Sequence, residues 1–215
     1  DVLRNATFPD EELERAKLQR IASLTHAKAD AGYLAELIFA KMLYPGHVYG
    51  GQASGTEASI TRMTREDVLA FAAEHLRPQE AYVVVAGDVS PEAIRAMLDG
   101  AIGSLSGSAS PRATLTEMPR QKGTRVGLID RAGAVQTAIR VGHVGIPRRT
   151  EDWIALSSLN ALFGGYFNSR LNSNLREKHG FTYGIRSSFD ARMVAGPFLI
   201  ATEVRTEVTA RALEE

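Results

Sequence analysis

Arg176 and Tyr183 stand seven residues apart in the stretch LREKHGFTYG, which runs from Leu175 to Gly184. A guanidinium presents a rigid fork of N–H donors and a phenol presents an O–H donor. Held together in a cleft that excludes water, such a pair can grip a carbonyl or stabilise the oxyanion of a tetrahedral intermediate. Whether the two converge depends on the elements that carry them. In FGGYFNSRLNSN and the leucine after it, Phe167, Leu171 and Leu175 recur every fourth residue, the spacing of a helix. Arg176, Lys178 and His179 suit the negative end of that helix, and Gly180 suits the left-handed residue beyond it. FTYGIRSSF then carries aromatic and β-branched residues in partial alternation, the pattern of a strand. The pair is thus expected on two adjoining elements. On residue types alone, the commoner meaning is a capped helix and a tyrosine packed in a sheet. Gly164-Gly165 likewise reads most simply as a break between helices.

The composition sets wide bounds. The chain has 215 residues, 44% apolar and 23% charged, as in an ordinary globular protein. Lys+Arg and Asp+Glu number 25 each, so no net field draws it toward nucleic acid or acidic lipid. No run approaches the roughly 18 apolar residues of a membrane helix. The opening DVLRNATFPD lacks the basic and apolar regions of a signal peptide. The compartment stays open, and a periplasmic or otherwise exported location follows if a signal peptide precedes this chain. With no cysteine, disulfides, thiolate catalysis and cysteine–zinc sites are excluded.

FPDEELERAKLQRIASLTHAKADAGYLAELIFAKMLY starts as helices do and runs with helical spacing to Pro45-Gly46, enough for two helices. GHVYGGQASGTEASI reads as a long surface loop, and MTREDVLAFAAEHL as a helix with Thr64 at its N-cap and Asp67 in the first turn. AYVVVAGDV reads as a buried strand, followed by a helix with Ser90 as cap and Pro91 at its first position. GSLSGSASPRATLTEMPRQKG lacks periodicity and reads as a linker. Beyond it RVGLIDR and AVQTAIRVGHVGI read as strands, EDWIALSSLNALF and YFNSRLNSNLREKH as helices, FTYGIRSSFD and GPFLIATEV as strands, and VTARALEE as the start of a helix. The strand AVQTAIRVGHV is either an edge able to accept an extended peptide or an internal strand. The expected architecture is α+β: the later part of a first domain over 1–105, a linker over 106–124, and most of a second domain over 125–215.

Most chemical motifs fail on inspection. FAAEH has the last two letters of the inverted zinc helix H-x-x-E-H, but position 71 is Phe, and a solvated helix end is the better reading of Glu74 and His75. His26, His47, His143 and His179 lack companions at helical spacing that would complete a ligand set. GGQASGT has Thr56 where a phosphate-binding loop needs Lys, VVVAGDV lacks G-x-G-x-x-G, and GSLSG has Leu105 where a nucleophile elbow needs Ser.

Taken in order, FPDEELERAK, YPGHVYGGQASGTEASITRMTREDV, VVVAGDVSPE, FGGYFNSRL and LREKHGFTYGIRSSF resemble the insulinase and pitrilysin family of zinc peptidases, which includes mitochondrial processing peptidase. The likeness covers nearly the whole chain. It implies two homologous α+β domains and cleavage of an extended peptide at a zinc held by one of them. It also implies that the second domain lends an Arg and a Tyr to the substrate, and these fall on Arg176 and Tyr183. A glycine turn facing the cleft would fall on Gly164 and Gly165, a weaker assignment. H-x-x-E-H is absent, and Ala22 and Ser23 occupy the region where catalytic members carry the glutamate ligand. The resemblance therefore implies a non-catalytic subunit or domain with no metal of its own, acting with a zinc-bearing homologous subunit or domain. Two alternatives stand beside it: an active protease whose zinc helix lies upstream of this chain, and a catalytically silent structural scaffold of the same fold.

Overall fold

The structure, a computed structural model, describes residues 5–76, 82–103, 114–118 and 121–215. Helix α1, Asp10–Ala27, carries Asp10, Glu11 and Glu12 in its first turn, where the helix dipole favours negative charge. Helix α2, Ala31–Leu43, begins at Asp30, whose carboxylate accepts from the Tyr33 N–H at 2.6 Å. A 3₁₀ turn at Val48–Gly50 follows. The expected surface loop contains one further helix, α3 at Glu57–Arg62, which a capping box between Thr56 and Ser59 starts. Helix α4, Arg65–His75, opens with Thr64 and Asp67 capping each other's backbone, and α5, Pro91–Ile102, has Ser90 as cap and Pro at the first position, both as read from the sequence.

After these come β1 (Gln136–Val144), α6 (Trp153–Asn160), a π-helical turn at Ala161–Gly165, a second π-helical turn at Asn172–Lys178, β2 (Thr182–Phe189), β3 (Pro197–Arg205), a 3₁₀ turn at Thr206–Val208 and α7 (Thr209–Glu214). The mixture of helices and an antiparallel sheet is the expected α+β class. Most of the linker expected at 106–124 lies outside the described residues; 114–118 and 121–124 carry no helix or strand.

The described chain forms two compact units, Asp1–Ser23 with Thr56–Thr114, and Leu24–Gly55 with Leu115–Glu215. In the first, Arg65 donates to the carbonyls of Phe8 and Thr7 at 2.8 Å, and Ile60 is buried. Neither α4 nor α5 buries a residue. The buried strand expected at AYVVVAGDV is corrected here. Ala81 lies outside the described residues, and 82–86 run without a ladder, with Tyr82 and Val84 exposed at 88% and 93%. A strand's apolar faces are covered only when neighbours flank it, and none among the described residues does.

The second unit holds an antiparallel sheet in the order β1-β3-β2. Val204 on the central strand pairs with Thr137 on one side and Thr182 on the other. One apolar cluster gathers Leu175, Phe181, Ile185, Val204, Val208 and Ala212; another gathers Leu43, Tyr44, Val144 and Ala195. Strand β1 lies at an edge of this sheet among the described residues. The strand expected at RVGLIDR is a second correction. It joins no ladder, and Val126 and Leu128 are exposed, although Gly127 lies against Met42 and Ile38 of α2.

Candidate functional site

The helix expected over YFNSRLNSNLREKH divides into a non-helical turn over 166–169 and helical residues from 170. Phe167 belongs to the turn before the helical residues and is exposed, while Leu171 is half-buried and Leu175 buried. The fourfold spacing therefore marks helical residues for the two leucines only, and the expectation of helix at Phe167 is corrected. From Asn172 to Lys178 the chain is π-helical, so its backbone hydrogen bonds span one more residue than those of an α-helix. Gly180 closes it at φ +63°, the left-handed conformation expected of it. Its N–H donates to the Arg176 carbonyl at 3.1 Å, and the Phe181 N–H donates to the Leu175 carbonyl at 2.9 Å. Each of these bonds spans one residue more than its counterpart in a Schellman motif, in keeping with the wide turn they close.

The strand that follows is irregular too. The β2–β3 register shifts between Thr182 and Ile185, a bulge that leaves Tyr183 and Gly184 out of the ladder. The Gly184 N–H is accepted by the Thr182 hydroxyl at 3.1 Å, and Thr202 donates to the Gly184 carbonyl at 2.9 Å. The bulge turns Tyr183 outward, so that it is 93% exposed. The tyrosine is not packed in the sheet.

Arg176 and Tyr183 converge. The Arg176 guanidinium carbon lies 5.4 Å from the centre of the Tyr183 ring and 4.1 Å from that of Phe167, within the range of cation–π attraction. Three-quarters of the arginine side chain is covered, and its Nη1 is buried without a hydrogen-bond acceptor, although Glu177 Oε1 stands 3.5 Å away. An ionic hydrogen-bonding group left without an acceptor is costly.

Asn172, which sequence reading passed over, ties the two elements together. Its amide donates to the Ile185 carbonyl at 2.9 Å and to Ser169 Oγ at 3.2 Å, and its Oδ1 accepts from the Ile185 N–H at 3.1 Å. Only 5% exposed, it gives the Ile185 backbone groups their partners and sets the turn bearing Arg176 against the strand bearing Tyr183. Asn160, just before the first π-helical turn, also bonds to β2, donating to the Ser187 carbonyl at 3.0 Å and accepting from Ser187 Oγ at 2.6 Å.

Gly164 and Gly165 end the first π-helical turn. Gly164 is buried, and a Cβ there would lie 2.8 Å from both Leu171 Cδ1 and the Ser187 backbone nitrogen, so close packing on β2 requires glycine. Gly165 is half-buried beside Asn160.

Zinc does not fit the described residues. The ring of Phe71 lies 4.3 Å from that of His75, at the position where an inverted zinc helix has its first histidine. Ala22 and Ser23 lie exposed on α1, and Ser23 donates to the Gln19 carbonyl. No group of three His, Cys, Asp or Glu among the described residues is placed to hold a metal ion. No helix among them is long and apolar enough to cross a membrane.

The chain as a whole is similar to known proteins. A family profile described as the peptidase M16 inactive domain matches residues 62–215. An uncharacterized zinc protease of Mycobacterium leprae is 32% identical over 88% of this chain and 43% of its own length. A non-peptidase homolog of Helicobacter pylori is 25% identical over 99% of this chain and 49% of its own. A crystal structure of a peptidase M16 inactive domain from Pseudomonas fluorescens superposes with a TM-score of 0.91 at 31% identity, covering 99% of this chain and 51% of that one. The chain thus spans about half the length of the relatives it matches. With the family profile covering more than half of its residues, the chain belongs to the M16 peptidase family, as an inactive-domain member of that group of zinc protease homologues.

Proposed function

We propose that this chain is the non-catalytic half of an M16 zinc endopeptidase, lending Arg176 and Tyr183 to an extended peptide held by a zinc-bearing homologous subunit or domain. One observation carries the reading: a guanidinium flanked by two exposed aromatic rings, with a buried nitrogen that has no acceptor. Arg176 would donate to the carbonyl of the bond being cut, and the Tyr183 hydroxyl to the same oxygen as it becomes an oxyanion. Hydrolytic chemistry belongs to the zinc-bearing homologue, and no step is assigned to a metal here. The turn at Gly164-Gly165 would add backbone contact with the peptide, a secondary element of the proposal.

Steady-state peptide cleavage by the complex reconstituted with that homologue tests the reading. Arg176→Ala and Tyr183→Phe each lower kcat/KM on the order of 10²-fold, the usual loss for one oxyanion donor. The double variant loses less than the product of the two, because donors that meet on one oxygen act as a unit. Assembly, followed by gel filtration, is unchanged. Single variants that cleave like the wild type overturn the proposal. They would favour the scaffold reading, to which the similarity to a non-peptidase homolog lends support.

A further inference from the structure

Resting on that reading, we infer that Phe167 is a positioning residue for Arg176: its ring fixes the plane of the guanidinium so that the N–H edge, not the flat face, meets the peptide carbonyl. A large aromatic side chain that is 66% exposed has little to gain from hydrophobic burial at this place. It belongs to neither apolar cluster of the second unit. What it touches is the guanidinium, at 4.1 Å from its ring centre, a stacking separation and shorter than the 5.4 Å to Tyr183.

Rings against a guanidinium leave its edge as the donating direction, since its N–H bonds lie in its own plane. Of the two rings, Tyr183 cannot serve as the fixed support, because it stands 93% exposed on a bulge. Phe167 can, because its turn is anchored at the carbonyl of the residue before it. Asn172 donates to the Tyr166 carbonyl at 3.3 Å, and the Ser169 N–H donates to the same carbonyl at 3.1 Å. Glu177, 3.5 Å from Nη1, balances the charge without completing a hydrogen bond, so the ring and the carboxylate steer the arginine without using its donors.

Two measurements test this. In the chain alone, NMR of the arginine side chains should find Arg176 shifted upfield by the Phe167 ring current; Phe167→Leu removes the shift and Phe167→Tyr keeps it. In the reconstituted complex, Phe167→Leu lowers kcat about three- to tenfold with KM little changed, and Phe167→Tyr restores it, since loss of a stack and a small misplacement act on the transition state. Circular dichroism and melting of Phe167→Leu should match the wild type. Two results overturn the inference: no upfield shift in the wild type, or an unchanged kcat in Phe167→Leu where Arg176→Ala is impaired. If Arg176→Ala is also unimpaired, the functional reading beneath it falls first and takes the inference with it.

Discussion

Val84 and Val204 share a side chain and a preference for extended backbone, yet Val84 is 93% exposed and Val204 is 0%. The first lies in a run of the first compact unit that joins no ladder, the second on a central strand with a neighbour on each side. Capped helices in the two units start alike, whatever they bury. Capping boxes start α3 and α4, a serine starts α5, and an aspartate starts α2, each by contacts within a few residues. Caps are local, and they form whether or not the helix finds a partner. Burial is not local, and the first unit shows how much secondary structure can be specified with one buried apolar residue, Ile60, among its described residues. The candidate site sits in the second unit, where Asn172 and Asn160 can hold irregular turns against a paired strand.

Leu175→Ala gives the sharpest contrast. The residue is 3% exposed within the larger cluster, and its loss should cost about 2–5 kcal/mol in urea unfolding of the chain, the usual range for a buried leucine. A cost below about 1 kcal/mol would mean that the cluster is not the stabilising core it is taken for. Asn172→Ala comes next. It strips the Ile185 N–H and carbonyl of their partners, and orphaned buried groups cost about 1–3 kcal/mol each. The same variant should loosen the turn bearing Arg176 from β2, so in the reconstituted complex its kcat falls more than its stability alone would predict. Equal stability in Asn172→Ala and wild type would remove Asn172 as the tie between the two elements.

These two residues also show what could and could not be read from the sequence. Starts of α4 and α5, strands β2 and β3, and the glycine that ends the second π-helical turn were all legible, because Thr64, Ser90, Pro91 and Gly180 act on backbone groups close by. Arg176 and Tyr183 were legible through the order of the surrounding motifs. Asn172 was not, since nothing in NSRLNSN separates the one asparagine that is buried from the other two. The spacing of Phe167 from Leu171 and Leu175 fits a helix, but periodicity does not register that the helical turns begin only after Phe167. The runs at 82–86 and 125–131 have strand composition, but composition cannot tell whether a partner lies alongside.

Tyr44→Phe has a smaller effect at neutral pH and a distinctive one in alkali. The hydroxyl of Tyr44 donates to the Ala195 carbonyl at 3.0 Å in the smaller cluster, and the residue is 1% exposed. Deleting it should cost about 0.5–1.5 kcal/mol, the net value of one hydrogen bond. Burial, opposed by the nearby Arg192 charge, pushes the phenol from 10.0 up to about 12. The raised value means that the folded state keeps its proton where the unfolded state has lost it. The stability this represents is present in full below pH 10 and is lost as the pH rises toward 12. The slope is about 1.4 kcal/mol per pH unit across that window. Wild type should therefore lose stability between those limits more steeply than Tyr44→Phe. Parallel curves for the two proteins would show that Tyr44 ionises in the folded state as freely as in water.

The smallest expected effect is the one that can break the comparison. Val84→Thr exchanges a methyl group for a hydroxyl on a side chain of nearly the same shape, and threonine is as suited to extended backbone as valine. At a buried position the hydroxyl would have to find a partner or cost a few kcal/mol. At a position that is 93% exposed it meets water, and stability should move by less than about 0.5 kcal/mol. The neighbours sharpen the test. Val83 and Val85 are about half-exposed and Val84 is not covered, so the run keeps the alternation of a strand without the cover of a sheet. Val83→Thr and Val85→Thr should accordingly cost slightly more than Val84→Thr, in the order of their partial burial. Urea midpoints of the three variants, measured on the 215-residue chain, decide the matter. A loss above about 1 kcal/mol for Val84→Thr alone would mean that the run is covered in solution, and that the first unit buries more than Ile60 among its described residues.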